Sequence, residues 1–260
     1  YTLQLPAGLQ TRLADASGRR SSGKLAGVFA MGAISALIVG PCVAAPLAGA
    51  RFPRRAGHAQ PTGDTPYFLC LGTIEPRKNH ATLLAVWHSL AAELGEKTPR
   101  LVIVGQWGAG SAALRKQLQG DALLQRHVEV LDTCRDEELG HLIAAARAVL
   151  LPSRAEGFGL PMVEALALGT PVIASDLASF RVIGQGIPTL LDPLDITAWK
   201  QAVQAFINDC PARSNQVAAM PQFRTPTWAD HFGAVEQWLD MLRHEARPDV
   251  SSVHDERSAG

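Results

Sequence analysis

Charge of neither sign is in excess in this 260-residue chain: Lys plus Arg and Asp plus Glu stand at 24 each. Net charge therefore does not select a polyanion, no nucleic acid is expected as a partner, and any anion site must be local. Cysteine is scarce too. Cys42, Cys70, Cys134 and Cys210 lie far apart with no C-x-x-C pair, which argues against a zinc site or a local redox motif. The eight histidines show no H-E-x-x-H or comparable spacing, so no protein-bound metal is expected. Cys70 falls inside an apolar strand pattern and is expected to be a buried neutral thiol. Apolar residues are plentiful, at 47% of the chain, enough to build a core.

One stretch lacks charge altogether. Residues 25 to 50 carry none, between Arg19, Arg20 and Lys24 on one side and Arg51, Arg54 and Arg55 on the other. That length exceeds the roughly 20 apolar residues a helix needs to cross a bilayer. The alternative is a Gly- and Ala-rich buried helix. The segment from Met31 to Ala50, with Leu5 to Leu13 upstream as the loop before it, resembles a transmembrane helix of the DsbD-type thiol:disulfide interchange proteins. The resemblance implies that Cys42 matches a cysteine that exchanges a disulfide with a second cysteine on another membrane helix. It covers residues 1–50; residues 51–65, containing Pro, Arg and Gly without apolar periodicity, read as a linker. One such helix joined to part of an unrelated enzyme points to a gene fusion, a frameshift or an assembly error.

From Tyr67 onward, short apolar runs alternate with amphipathic helices. Tyr67 to Leu71, Leu101 to Val104, Val128 to Leu131, Ala148 to Leu151 and Pro171 to Ala174 read as buried strands. Leu83, Leu84, Trp87, Leu90 and Leu94 share one helical face, as do Leu139, Leu142, Ile143 and Ala146. The pattern predicts an α/β fold, a doubly wound parallel sheet over residues 66–210. Residues 211–247 are expected to be C-terminal helices packing on the domain. The last of them runs from about Thr227 to Arg243, where Trp228, Phe232, Val235, Leu239 and Leu242 recur at spacings of three and four. Residues 248–260 form a polar tail expected to be disordered.

In an open parallel sheet, ligands bind at the carboxyl ends of the strands. Three loops there stand out. In Gly72-Thr-Ile-Glu-Pro-Arg-Lys-Asn79, Arg77 and Lys78 stand just before a helix whose free N–H groups already favour an anion. Arg as a fork and Lys as a point charge suit a diphosphate, although a solvated basic pair at a helix start looks the same. Gly105 follows the second strand, where a backbone without a side chain can approach a ligand. The third loop runs Pro152-Ser-Arg-Ala-Glu156-Gly-Phe-Gly-Leu-Pro161-Met-Val-Glu164. Pro161 suits a first helical turn, and Gly157 and Gly159 leave N–H groups free in front of it. Glu156 and Glu164 are two carboxylates able to accept from vicinal hydroxyls of ribose and hexose.

Those three blocks, in order over some 110 residues and including the E-x7-E spacing of Glu156 and Glu164, resemble the family 4 glycosyltransferases. The resemblance implies the C-terminal, donor-binding half of the two-domain GT-B fold. It implies a hexose, of mannosyl type among others, transferred from a nucleoside diphosphate sugar to a glycan or lipid-linked acceptor with retention at the anomeric carbon. By the same resemblance, Arg77 and Lys78 neutralise the departing diphosphate and Glu164 holds the ribose hydroxyls. Glu156 and the amides of Gly157, Phe158 and Gly159 hold the donor sugar and phosphate, with Gly72, Thr73, Gly105 and Leu160 completing the donor site. No cofactor or metal is implied; the nucleotide sugar is a substrate. Many relatives carry a basic residue where this chain has Thr73, and the family's amino-terminal acceptor domain has no counterpart in the sequence. The alternative functions are therefore a nucleotide-sugar-binding fragment without turnover, a nucleotide-sugar epimerase, and a membrane thiol:disulfide carrier. Membrane contact is expected through residues 25–50, on the cytoplasmic face of the bacterial inner membrane, or a cytoplasmic protein if residues 1–50 are an artefact.

Overall fold

The computed structural model describes residues 66–245. The apolar run at 25–50, the linker at 51–65 and the tail at 248–260 lie outside the described residues. Six strands, β1 (Tyr67–Leu71), β2 (Arg100–Val104), β3 (Val128–Leu131), β4 (Val149–Leu151), β5 (Val172–Ser175) and β6 (Thr189–Leu191), form one parallel sheet in the order β3-β2-β1-β4-β5-β6. The helices between them are α1 (His80–Leu94), α2 (Ala112–Gly120), α3 (Ala122–His127), α4 (Asp136–Ala145), α5 (Leu160–Ala167), α6 (Ala178–Gly184) and α7 (Ile196–Ile207). Then follow α8 (Pro211–Ala219) and α9 (Trp228–Glu245). The α/β fold with a doubly wound parallel sheet is as the periodicity predicts. The chain runs outward from β1 to β3, returns across the sheet to β4, and runs outward again, which opens a crevice between the loops leaving β1 and β4.

Alternation along the strands divides the core into two layers. Phe68 and Cys70 of β1 face a layer with Leu83, Trp87, Leu101, Leu150, Trp199 and Phe206. Tyr67, Leu69 and Leu71 face the other, with Ile143, Val163, Leu166 and Phe180. Cys70 is buried, and burial pushes its thiol up to about 12, so it is the inert neutral group expected of an apolar strand position. The buried indoles keep their N–H groups satisfied. Trp87 Nε1 donates to the Pro99 carbonyl at 2.8 Å and Trp199 Nε1 to that of Asp192 at 3.0 Å.

Three features of the periphery go beyond the sequence reading. β6 was not expected, because three half-buried residues at a sheet edge make too short a run to stand out. The segment between β2 and β3 is two helices, broken at Asp121, whose carboxylate caps α3 by accepting from the amides of Leu123 and Leu124. Among the C-terminal helices, α8 is tied to the sheet by Gln216, whose amide exchanges hydrogen bonds with both backbone groups of Val172. On α9, Val235, Trp238, Leu239 and Leu242 are exposed.

Candidate functional site

The loop leaving β1 is held rigidly. Glu75 is extended, Pro76 opens a short 3-10 turn over Pro76–Lys78, and the Lys78 amide closes it on the Glu75 carbonyl at 3.0 Å. Asn79 ends the turn in the left-handed region (φ 56), a conformation Asn tolerates better than most side chains. Its Nδ2 donates to the carbonyls of Pro152 and Pro193, each at 3.0 Å. The loop leaving β1 is thereby tied to the loop that leaves β4.

The Arg-Lys pair and Glu156, some 78 positions apart in sequence, meet across the crevice. Lys78 Nζ donates to Glu156 Oε1 at 2.5 Å, and Arg77 Nη1 to Oε2 at 3.1 Å. Ser153 Oγ donates to Oε1 at 2.8 Å. Arg77 also reaches the Ala155 carbonyl and, through Nη2, Glu75 Oε1 at 2.6 Å. Burial alone would push the Glu156 carboxyl up, but Lys78, Ser153 and Arg77 hold it below the usual carboxylate range. It is a fixed anion with two cations on it.

The glycine loop behind Glu156 enters α5. Gly159 takes φ 96, and a Cβ there would sit 2.6 Å from the ring of Phe180, so this position admits only glycine without strain. Ser179 Oγ donates to the Glu156 carbonyl at 3.1 Å, so α6 braces the loop from behind. Leu160 starts α5 with Pro161 in its first turn, as expected, and Phe158 is exposed at the tip of the loop. Glu164 follows one turn into α5, and its side chain has no hydrogen-bond partner among the described residues. Burial, with the Asp136 carboxylate at the start of α4, pushes it up to about 7. The structure thus joins Arg77, Lys78 and Glu156 directly and places Glu164 beside α4 rather than on the cations.

Gly72 packs beneath the Lys78 side chain, and Thr73 against Gly108 of the neighbouring loop. The close approach at Gly105 is to the protein's own backbone: a Cβ there would lie 2.1 Å from the Gly72 carbonyl oxygen. Sequence reading gave no role to Glu75, Ser153, Ser179 or Phe180. A lone carboxylate, hydroxyl or ring in a loop carries no periodic signal, and only the fold brings these to Arg77, Glu156 and Gly159. His80, fully buried at the start of α1 with neither ring nitrogen hydrogen-bonded, is pushed down to about 4 by burial and by Lys78, and is neutral.

Comparison with known proteins finds two families at the two ends of the chain. The model for glycosyl transferases group 1 matches residues 55–222, and that for the cytochrome C biogenesis protein transmembrane domain matches residues 1–63. The chain is 39% identical over 189 residues to the serotype-specific mannosyltransferase WbdA of Escherichia coli, covering 73% of this chain and 19% of WbdA. It therefore spans about a fifth of that relative's length. It is 47% identical over 73 residues to the thiol:disulfide interchange protein DsbD of Yersinia enterocolitica, covering 28% of this chain and 13% of that protein. Among solved structures, the C-terminal domain of a glycosyl transferase group 1 family protein from Francisella tularensis matches with a TM-score of 0.53. That likeness, at 20% identity, covers 61% of this chain and 85% of that one, and is one of fold. Among the described residues no helix is long and apolar enough to cross a membrane.

Proposed function

Because the chain belongs to the group 1 glycosyl transferases, we propose that residues 66–245 form the donor side of a retaining hexosyl transfer from a nucleoside diphosphate sugar. The observation that carries the reading is the meeting of Lys78, Arg77 and Glu156 at the switch point of the sheet, where α/β folds place their ligands. Lys78 and Arg77 offer positive charge where a diphosphate gains negative charge on leaving, and such fixed charges lower a barrier because they need no reorganisation. The free amides of Gly157, Phe158 and Gly159, with Leu160 at the head of α5, face the donor phosphate and sugar. Glu156 has one acceptor position left, on Oε2, for a sugar hydroxyl, and Glu164 accepts from the ribose hydroxyls.

The acceptor in this reading is a glycan or lipid-linked sugar, and the hexose is of mannosyl type, as the likeness to the mannosyltransferase WbdA supports. The likeness of residues 1–63 to a transmembrane domain supports action at the cytoplasmic face of the bacterial inner membrane.

A thermal-shift screen of the chain against nucleoside diphosphate sugars tests the reading. One donor or more is expected to raise the melting temperature in a concentration-dependent way, since a ligand that binds only the folded state stabilises it by mass action. Lys78→Met should lose affinity for the matching nucleoside diphosphate by roughly ten- to a hundredfold, the size of a charge-assisted bond, while the nucleoside alone is barely affected. A panel without any stabilising donor, or equal losses for nucleoside and diphosphate, would remove the assignment.

A further inference from the structure

Arg77 carries two carboxylates, and they are not equivalent. Glu156 is nearly buried, at 10% side-chain exposure, and is shared among Arg77, Lys78 and Ser153. Glu75 is 30% exposed, and among the described residues its side chain pairs with Arg77 alone, through Nη2 at 2.6 Å. Glu75 is also held at a defined place. The turn over Pro76–Lys78 closes on its carbonyl, and the neighbouring Ile74 bridges to Trp107 and exchanges backbone hydrogen bonds with Gln106 and Gly108. Pro76, between Glu75 and Arg77, is covered by Gly110, where a Cβ would meet the ring at 2.9 Å. The Glu75–Arg77 spacing is thus set by a braced turn.

In the proposed function a diphosphate arriving at Arg77 exchanges with the partners of Nη1, Glu156 Oε2 and the Ala155 carbonyl, while Nη2 stays on Glu75. We infer that Glu75 is a positioning residue that keeps the Arg77 guanidinium over the crevice during this exchange, leaving its remaining N–H groups for a nucleoside diphosphate. The inference rests on the diphosphate reading of the site. It has an unusual sign. A carboxylate near a phosphate site repels the phosphate, so its removal should tighten binding if field alone counted. A carboxylate that holds the binding cation in place has the opposite effect.

Calorimetry on the full chain separates the two, with UDP and GDP as probes and uridine and guanosine as controls. Glu75→Gln is expected to weaken binding of the preferred diphosphate by about two- to fivefold, the size of an exposed ion pair, with the nucleoside unchanged. Arg77→Met should weaken it further, and Glu75→Gln added to Arg77→Met should cost nothing more, because the two act as one unit. Circular dichroism melts confirm that each variant is folded. Unchanged or tighter diphosphate binding in Glu75→Gln, with Arg77→Met weakened, overturns the role of Glu75 and leaves the phosphate site standing. If Arg77→Met and Lys78→Met both leave diphosphate affinity unchanged, the phosphate reading and this inference fall together.

Discussion

Glu164→Gln is expected to stabilise the domain at pH 8 while weakening nucleotide-sugar binding. The folded carboxyl titrates at about 7 against an ordinary 4.5, because burial, then the Asp136 carboxylate, disfavour its charged form. The folded state therefore holds a proton that the unfolded chain releases between those values. The stability this contributes is complete below 4.5 and is lost as the pH rises through 7. Above that, an ill-hydrated charge remains in the fold, a penalty on the order of 3 kcal/mol for a gap of this size. Glutamine has the same shape without the charge. Its advantage should be several degrees of melting temperature at pH 8, and should shrink toward nothing at pH 5. The same substitution removes one of the two acceptor oxygens, costing roughly 1 to 3 kcal/mol of binding to a ribose hydroxyl pair. Melts at the two pH values check this. An advantage equal at pH 5 and pH 8 would show that Glu164 does not titrate where the geometry puts it.

Gly105→Ala should destabilise the fold severely, by about 3 kcal/mol or more, the range of a clash that no side chain can relieve. The added Cβ would lie 2.1 Å from the Gly72 carbonyl oxygen and 2.6 Å from its carbon, both backbone atoms. Neither loop is free to retreat. Gly72 N donates to Val104 O at 3.0 Å, Gly105 N to Leu131 O at 3.0 Å and Ile74 N to Gln106 O at 2.8 Å. Gly157→Ala is the control from the other loop, since a Cβ there meets nothing within 4 Å. Denaturant titrations should show a large loss for the first and less than about 0.5 kcal/mol for the second, as for an unconstrained surface position. A well-tolerated Gly105→Ala would mean the two loops do not interlock as described.

The contrast between these glycines shows what was legible in the sequence. β1, β2, β4 and β5 stood out because strands covered on both faces must be largely apolar, and the runs from Tyr67 and Leu101 contain nothing else after their first residues; β3, expected to be buried, is an edge strand with Glu129 in it and only Val128 buried. Arg77, Lys78 and Glu156 could be assigned to one edge because loops leaving parallel strands gather there, even without knowing that their side chains touch. Whether Gly105 accommodates a ligand or another loop was not readable, since both demand the same missing side chain. Glu75 and Ser153 lay within the quoted motifs but without a role, because their partners are fixed by the turn at Pro76 and the tie from Asn79 to Pro152. The apolar stripe of α9 was visible in its spacing, while the exposure of Val235, Trp238 and Leu239 was not.

In the proposed function a single crevice grips the sugar nucleotide between the loops leaving β1 and β4. A crystal structure of the chain soaked with the stabilising donor measures this directly. The expected density has the diphosphate within hydrogen-bond distance of Lys78 Nζ and the amides of residues 157–159, with both ribose hydroxyls on Glu164. A donor bound elsewhere on the domain, with Lys78 still paired only to Glu156, would contradict it.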